Sequence, residues 1–269
     1  MSKEISSQFE EDKNIPLLKT KLNQWGVELV CWDLDGTLID TSRTFSEALI
    51  DASALLLFGR KDDLSERERS EALSIRKKVS PIFSGIRDEF LVRPEISEVA
   101  VILIARGLGL DPEENKTILA RQRAKDLYRL DRPSPFPGSR KSVDQFNATG
   151  IRSVLTSHAE RDWIMKKLAS AGFTGKFEQI VALSVDERKS DQWPDIFSNL
   201  GVNSENILII GDNFKEDIMP TVNLGARTIW VNSDPDRREQ LLKFSLENPN
   251  NGIIEIPVIS QLVDRIISS

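Results

Sequence analysis

The sequence contains one cysteine and one histidine in 269 residues. Cys31 has no partner for an internal disulfide, and inside an apolar run it reads as a small buried hydrophobe. Such usage fits a reducing cytoplasm. Positive charge is not in excess: 36 Lys and Arg stand against 42 Asp and Glu, a formal net charge of -6. That balance argues against general nucleic-acid binding, which needs basic residues to neutralise phosphates. No stretch is long and apolar enough to span a bilayer, so no membrane partner is expected. The first fourteen residues are polar and acidic, lack an apolar signal core, and read as a tail up to about residue 13. Internal repeats and low-complexity segments are also absent. The length suits one large domain or a domain with a sizeable insertion.

What is present is organised around residues 27–38, Val-Glu-Leu-Val-Cys-Trp-Asp-Leu-Asp-Gly-Thr-Leu. The run opens with apolar, β-branched and aromatic residues and predicts a buried strand. Asp33 and Asp35 follow at its end, and Gly36 lets the chain turn sharply. In open α/β sheets, ligands bind beyond the carboxyl ends of the strands. Two carboxylates there can hold a hard cation, attack an electrophile, or pass a proton to a leaving group. Asp and Gly are also common turn residues, so this stretch alone does not decide.

Further along, helical periodicity replaces the strand pattern. Residues 15–25 predict a short helix before the first strand. Phe45, Leu49, Ala52 and Leu56 mark one helix face, and Gly59 a C-cap. Residues 63–79 predict an exposed charged helix, and residues 95–106 a helix apolar nearly all round. Asp111-Pro112-Glu113-Glu114 reads as a helix start, with a capping Asp, Pro in first position and acids in the first turn. The proline-rich stretch from Asp131 to Gly138 then stops the helical pattern. Residues 42–133 thus read as a helical insertion, with 1–41 and 134–269 forming the core.

From Ser139 the pattern alternates. Helices are expected over 139–149, 160–171, 192–200 and 215–224, and strands over 151–155, 179–183, 206–210 and 226–231. A last strand over 252–256 and a helix over 259–267 close the chain. Alternation of this kind predicts an α/β fold with a doubly wound, Rossmann-like parallel sheet.

Three more strand ends carry candidate chemistry. Thr156-Ser157-His158 offers hydroxyls and backbone N–H groups to a phosphate, or simply a turn. His158 reads as a turn or helix-start residue. Gly211-Asp212, with Asp217 five residues on, brings more carboxylates toward the same cleft, where only a cation would relieve their repulsion. Lys189, between those strand ends, could balance charge at such a site. Arg43 and Glu47, one turn apart, are positioned to read a leaving group or to form a surface ion pair.

Taken together, these residues resemble the haloacid dehalogenase superfamily, from about Val27 onward. Asp33-Leu34-Asp35-Gly36-Thr37-Leu38 is similar to its first motif, Thr156-Ser157 to the second, Lys189 to the third, and Gly211-Asp212 with Asp217 to the fourth. The resemblance implies Asp33 as nucleophile and Asp35 as the acid that protonates the leaving alcohol and then activates water. It implies Mg²⁺ held by Asp33, the Asp35 backbone carbonyl and Asp212, with Asp217 supporting. Thr156, Ser157, Gly36 and Lys189 would bind the phosphate. The helical insertion resembles the family's α-helical cap and implies a small soluble substrate. An acid at position 35 favours phosphate esters over haloacids, because an alkoxide needs a proton and a halide does not.

Two departures from the family pattern stand out. Lys189 lies five residues before Pro194 rather than three, with Asp191 in the usual place, so Arg188 is an alternative. Ser157 replaces a common Asn. The resemblance implies a Mg²⁺-dependent phosphatase acting on a small phosphorylated metabolite. A phosphomutase of the same superfamily and a catalytically idle, ligand-binding relative are the alternatives; the displaced lysine favours the last.

Overall fold

The computed structural model describes residues 13–83, 96–130, 133–249 and 252–269. The N-terminal tail, and the Arg43 and Glu47 side chains, lie outside the described residues. Helix α1 (Asn14–Gln24) leads into β1 (Leu29–Asp33), the first strand of a sheet with β2 (Arg152–Ser157), β3 (Gln179–Ala182), β4 (Ile207–Gly211), β5 (Arg227–Val231) and β6 (Ile254–Ile256). The six strands run in the order β3-β2-β1-β4-β5-β6, and every pairing is parallel.

Alternation along β1 explains its burial. Val30 and Trp32 point into one cluster with Leu155, Phe146, Ile210 and Leu262. Leu29 and Cys31 point into another, on the opposite face, with Val154, Trp193 and Ile209. A parallel strand flanked on both faces needs apolar residues at every position, and all five residues of β1 are buried. Burial also pushes the Cys31 thiol well above its ordinary pKa, which leaves it an inert apolar group.

The covering helices are α6 (Ser139–Thr149), α7 (Arg161–Ala171) and α8 (Lys189–Leu200), with α9 (Met219–Asn223), α10 (Arg238–Glu247) and α11 (Leu262–Ile267) further on. Three of them stop at Gly150, Gly172 and Gly201, directly after the ends expected at 149, 171 and 200. Between β1 and α6 lie α2 (Thr41–Phe58), α3 (Glu66–Phe83), α4 (Ile96–Gly107) and α5 (Asn115–Leu130). They enclose a separate cluster that includes Leu49, Ala52, Val101, Ile104 and Ala124. The chain enters and leaves this insertion through two adjacent segments. Asp40 N donates to Ser134 O at 2.9 Å, and Phe136 N donates to Leu38 O at 3.0 Å.

Several expectations need correction. The helix expected from Asp111 begins at Asn115 instead. Asp111 turns the chain first: its Oδ1 accepts from Glu113 N at 2.9 Å and its carbonyl from Thr117 Oγ1 at 2.9 Å. Helix α4 is not buried all round, since Val99 is 46% exposed. The helix expected over 215–224 opens as a wider turn, π-helical from Phe214 to Ile218. Helix α10 lies where no element was expected, because its exposed leucines, Leu242 and Leu246, blur the apolar stripe.

Phe146 meets Trp32 edge to face at 5.0 Å in the main cluster. Phe146→Ala is expected to lower the unfolding free energy by about 3–5 kcal/mol, read by urea denaturation.

Candidate active site

The site forms where the strand order reverses. Chain order runs outward one way from β1 to β3 and the other way from β4 to β6, so β1 and β4 flank a switch point. Register sets the residues there. Asp33 is level with Thr156, and Trp32 with Ile210, so Asp33 and Gly211 end neighbouring strands and Asp212 lies one residue beyond.

Two glycines let the carboxylates close in. Gly36 has φ +89°, and a Cβ there would lie 2.5 Å from Asp212 Oδ2. A Cβ on Gly211 would lie 2.6 Å from Asp217 Oδ2. Any side chain at either position would displace an aspartate. Asp217 sits on the π-helical turn, where Asn213 caps the N-terminus and Asn213 N donates to Asp217 Oδ2 at 3.2 Å. Turns of this kind often mark functional sites.

Lys189 is the first residue of α8 and is 4% exposed. Its Nζ lies 2.6 Å from Asp33 Oδ1 and 2.6 Å from Asp217 Oδ1. Arg188, the alternative, caps the helix with an exposed side chain. The five-residue spacing to Pro194 is absorbed because α8 starts at Lys189 itself. His158 rests against backbone groups of Ser184 and Glu187, in the turn that precedes Lys189, and burial with the Lys189 charge lowers its pKa.

The remaining predicted residues gather around this centre. Thr37 Oγ1 is 3.5 Å from Asp212 Oδ1. Thr156 Oγ1 donates to the Trp32 carbonyl at 3.4 Å, and Ser157 Oγ is 3.5 Å from Asp35 Oδ2. The Asp35 carboxylate stands apart from the acidic cluster: Lys167 Nζ pairs with its Oδ1 at 2.7 Å, and Thr41 donates to the same oxygen.

Sequence reasoning missed Lys167 and Arg237. Lys167 lies on the apolar stripe of α7 with Ile164 and Leu168, and a lysine in a core position was the available signal. Arg237, in the short 3₁₀ turn before α10, brings its guanidinium to 3.9 Å from Asp212. No pattern marked it.

Electrostatics follow from crowding. Burial, opposed by Lys189 and reinforced by the Asp217 charge, pushes Asp33 up to about 7. Asp212 is raised too, by burial and then by the charges of Asp33 and Asp217. Burial alone would lower Lys189, but Asp217 and Asp33 outweigh it and hold the ammonium charged.

A haloacid dehalogenase-like hydrolase model matches residues 27–225. The chain belongs to this family. A glyceraldehyde 3-phosphate phosphatase from Methanothermobacter thermautotrophicus is 24% identical over 241 residues, covering 88% of this chain and 98% of that protein. A haloacid dehalogenase-like family hydrolase from Xanthomonas campestris has a similar structure, with TM-score 0.65, 15% identity, and 90% and 91% of the two chains covered. The L-2-haloacid dehalogenase of Xanthobacter autotrophicus is similar at TM-score 0.56 and 17% identity, over 88% and 97% of the chains. At such identities the structures establish a shared fold, common to dehalogenases and phosphatases alike.

Haloacid dehalogenase-like hydrolases generally use a divalent cation, and the donors here fit one. Ligand oxygens of Asp33, Asp212 and Asp217 lie within 4.8 Å of one another. Asp33 Oδ2 is buried without a hydrogen-bond partner. An all-carboxylate set suits a hard cation. Among the described residues, no helix is long and apolar enough to cross a membrane.

Asp33 and Asp212 bind their protons more tightly folded than unfolded. Without a cation, stability should therefore fall as pH rises from the ordinary carboxylate value of 3.8 through about 7. Cation binding needs the ionised forms, so the rise in Tm on adding a divalent cation should be larger at about pH 7.5 than at about pH 5. Thermal unfolding with cation or chelator at both pH values measures this, and Asp212→Asn should remove the difference.

Proposed function

We propose that this protein is a Mg²⁺-dependent phosphatase that hydrolyses a small-molecule phosphate monoester through an aspartyl-phosphate on Asp33. The observation that carries this reading is the second carboxylate. The Asp35 carboxylate is tethered outside the acidic cluster, near the hydroxyl of Ser157 and apart from the three cation-ligand carboxylates. A carboxyl so placed suits proton transfer to an alcohol, which a halide would not require. The similarity to a phosphatase of a small phosphorylated sugar supports the same class of substrate.

In this reading, Asp33, Asp212 and the Asp35 backbone carbonyl would hold Mg²⁺, with Asp217 in support, and the ion would supply positive charge against the phosphate oxygens. Lys189 fixes Asp33 and neutralises a phosphate oxygen. Thr156, Ser157 and the backbone at Gly36 bind the rest of the phosphate. An Asp33 oxygen attacks phosphorus, the bond to the ester oxygen breaks, and Asp35 gives that oxygen a proton. Water then loses a proton to Asp35 and attacks phosphorus, the bond to Asp33 breaks, and phosphate leaves. Residues 42–133 act as a cap that excludes bulk water, over a core of residues 1–41 and 134–269. A buried, unpaired Cys31 fits a cytoplasmic setting. The contact between Lys189 and Asp33 weakens the argument for an idle relative.

The native protein with Mg²⁺ should release phosphate from members of a panel of small phosphate esters. Asp33→Asn should lower turnover by about 10³-fold or more, and chelator should abolish it. Turnover that depends on a bisphosphate activator, with poor transfer to water, would replace this reading with a phosphomutase.

A further inference from the structure

A buried ammonium with no part in the steps above lies beside the second aspartate. Lys167 is 3% exposed, in the middle of α7. Its Nζ is 2.7 Å from Asp35 Oδ1 and 3.7 Å from the centroid of the Trp163 ring, one turn earlier. A charge in this position is costly to bury. A leucine or methionine would continue the apolar stripe of Ile164 and Leu168 at no such cost, so packing does not account for lysine here.

The hydrogen bonds are unevenly divided between the two oxygens of Asp35. Oδ1 accepts from both Lys167 and Thr41. Oδ2 meets Ser157 Oγ at 3.5 Å, a long contact. The carboxyl is thus gripped through one oxygen while the other faces the strand end that carries Thr156 and Ser157. Trp163 keeps the grip from relaxing. Its ring packs against both the core cluster and the cluster of the helical insertion, so the ammonium cannot swing aside without disturbing that seam.

We propose that Lys167 is a positioning residue for the acid–base step. By holding Oδ1, it fixes the rotation of the Asp35 carboxyl so that Oδ2 serves the reaction. This rests on the phosphatase reading, with Asp35 as acid and then base. As Asp33 displaces the alcohol from phosphorus, the proton on Oδ2 moves to the departing ester oxygen. As water displaces Asp33, its proton returns to Oδ2. Lys167 contributes geometry and exchanges no proton in either step.

Leaving-group dependence separates this role from a merely structural one. The test compares native protein and Lys167→Met, with Mg²⁺, on p-nitrophenyl phosphate and phenyl phosphate. The nitrophenolate leaves readily without a proton, whereas phenolate, with a conjugate acid near the tyrosine value of about 10, gains from one. For Lys167→Met, kcat/KM on phenyl phosphate, which reports phosphoryl transfer to Asp33, should fall about 10–100-fold. On p-nitrophenyl phosphate, kcat/KM should fall less than about 3-fold, which also reports an intact fold and nucleophile, while kcat falls on both esters through the shared attack of water. If the Met variant does not accumulate, the same ratio is read from Lys167→Gln. Equal losses of kcat/KM on both esters, or no loss on either, overturn the proposal and leave the phosphatase reading standing. Native protein inert toward both esters and the wider panel overturns the two together.

Discussion

Asp33 and Asp217 share the ammonium of Lys189 at the end of the central strands, and Asp212 crowds in beside them with the Arg237 guanidinium 3.9 Å away. Like charges about 4 Å apart repel by roughly 4 kcal/mol at an effective dielectric of about 20, and one buried lysine with a part-exposed Arg237 does not offset three carboxylates. Apolar residues in these places would give a more stable protein. The arrangement persists because the strands beneath it are buried on both faces and cannot yield. The stability of the sheet holds a charge cluster that is unstable by itself, and the unbalanced negative charge makes a cation the natural complement.

Backbone geometry does most of the assembling. Adjacent parallel strands in fixed register bring Asp33 and Asp212 together across more than 170 residues of sequence, without any long side chain having to reach. The glycines at 36 and 211 remove the Cβ atoms that would hold the acids apart. The π-helical turn shifts Asp217 back over β4, and the start of α8 fixes the height of Lys189. Each contributor is a strand end or a helix start, where exposed backbone groups and side chains converge.

The features legible in the sequence were those that depend on local pattern. Apolar strand-length runs ending in Asp-Leu-Asp-Gly or Gly-Asp locate β1, β4 and the acids beyond them, because burial on both faces demands such runs. Asp111-Pro112 misled about the start of α5, since its capping chemistry also stabilises a turn ahead of the helix. Helix α10 escaped because two leucines of its face are exposed rather than packed. The contacts of Lys167 and Arg237 depend on which face of a helix or turn meets the site, which only the assembled tertiary structure determines. Lys167 left a faint trace as a charge on an apolar stripe, and Arg237 left none.

The two connectors of the insertion run side by side, joined by hydrogen bonds between residues 38–40 and 134–136. Seen from the sheet, everything between them is a loop whose ends coincide. Helices there can lengthen, shorten or be exchanged without shifting Asp33 or its neighbours, provided the paired connectors keep their register. Asp33, Lys189, Asp212 and Asp217 all lie outside that loop, so a change inside it reaches them only through the two joined connectors.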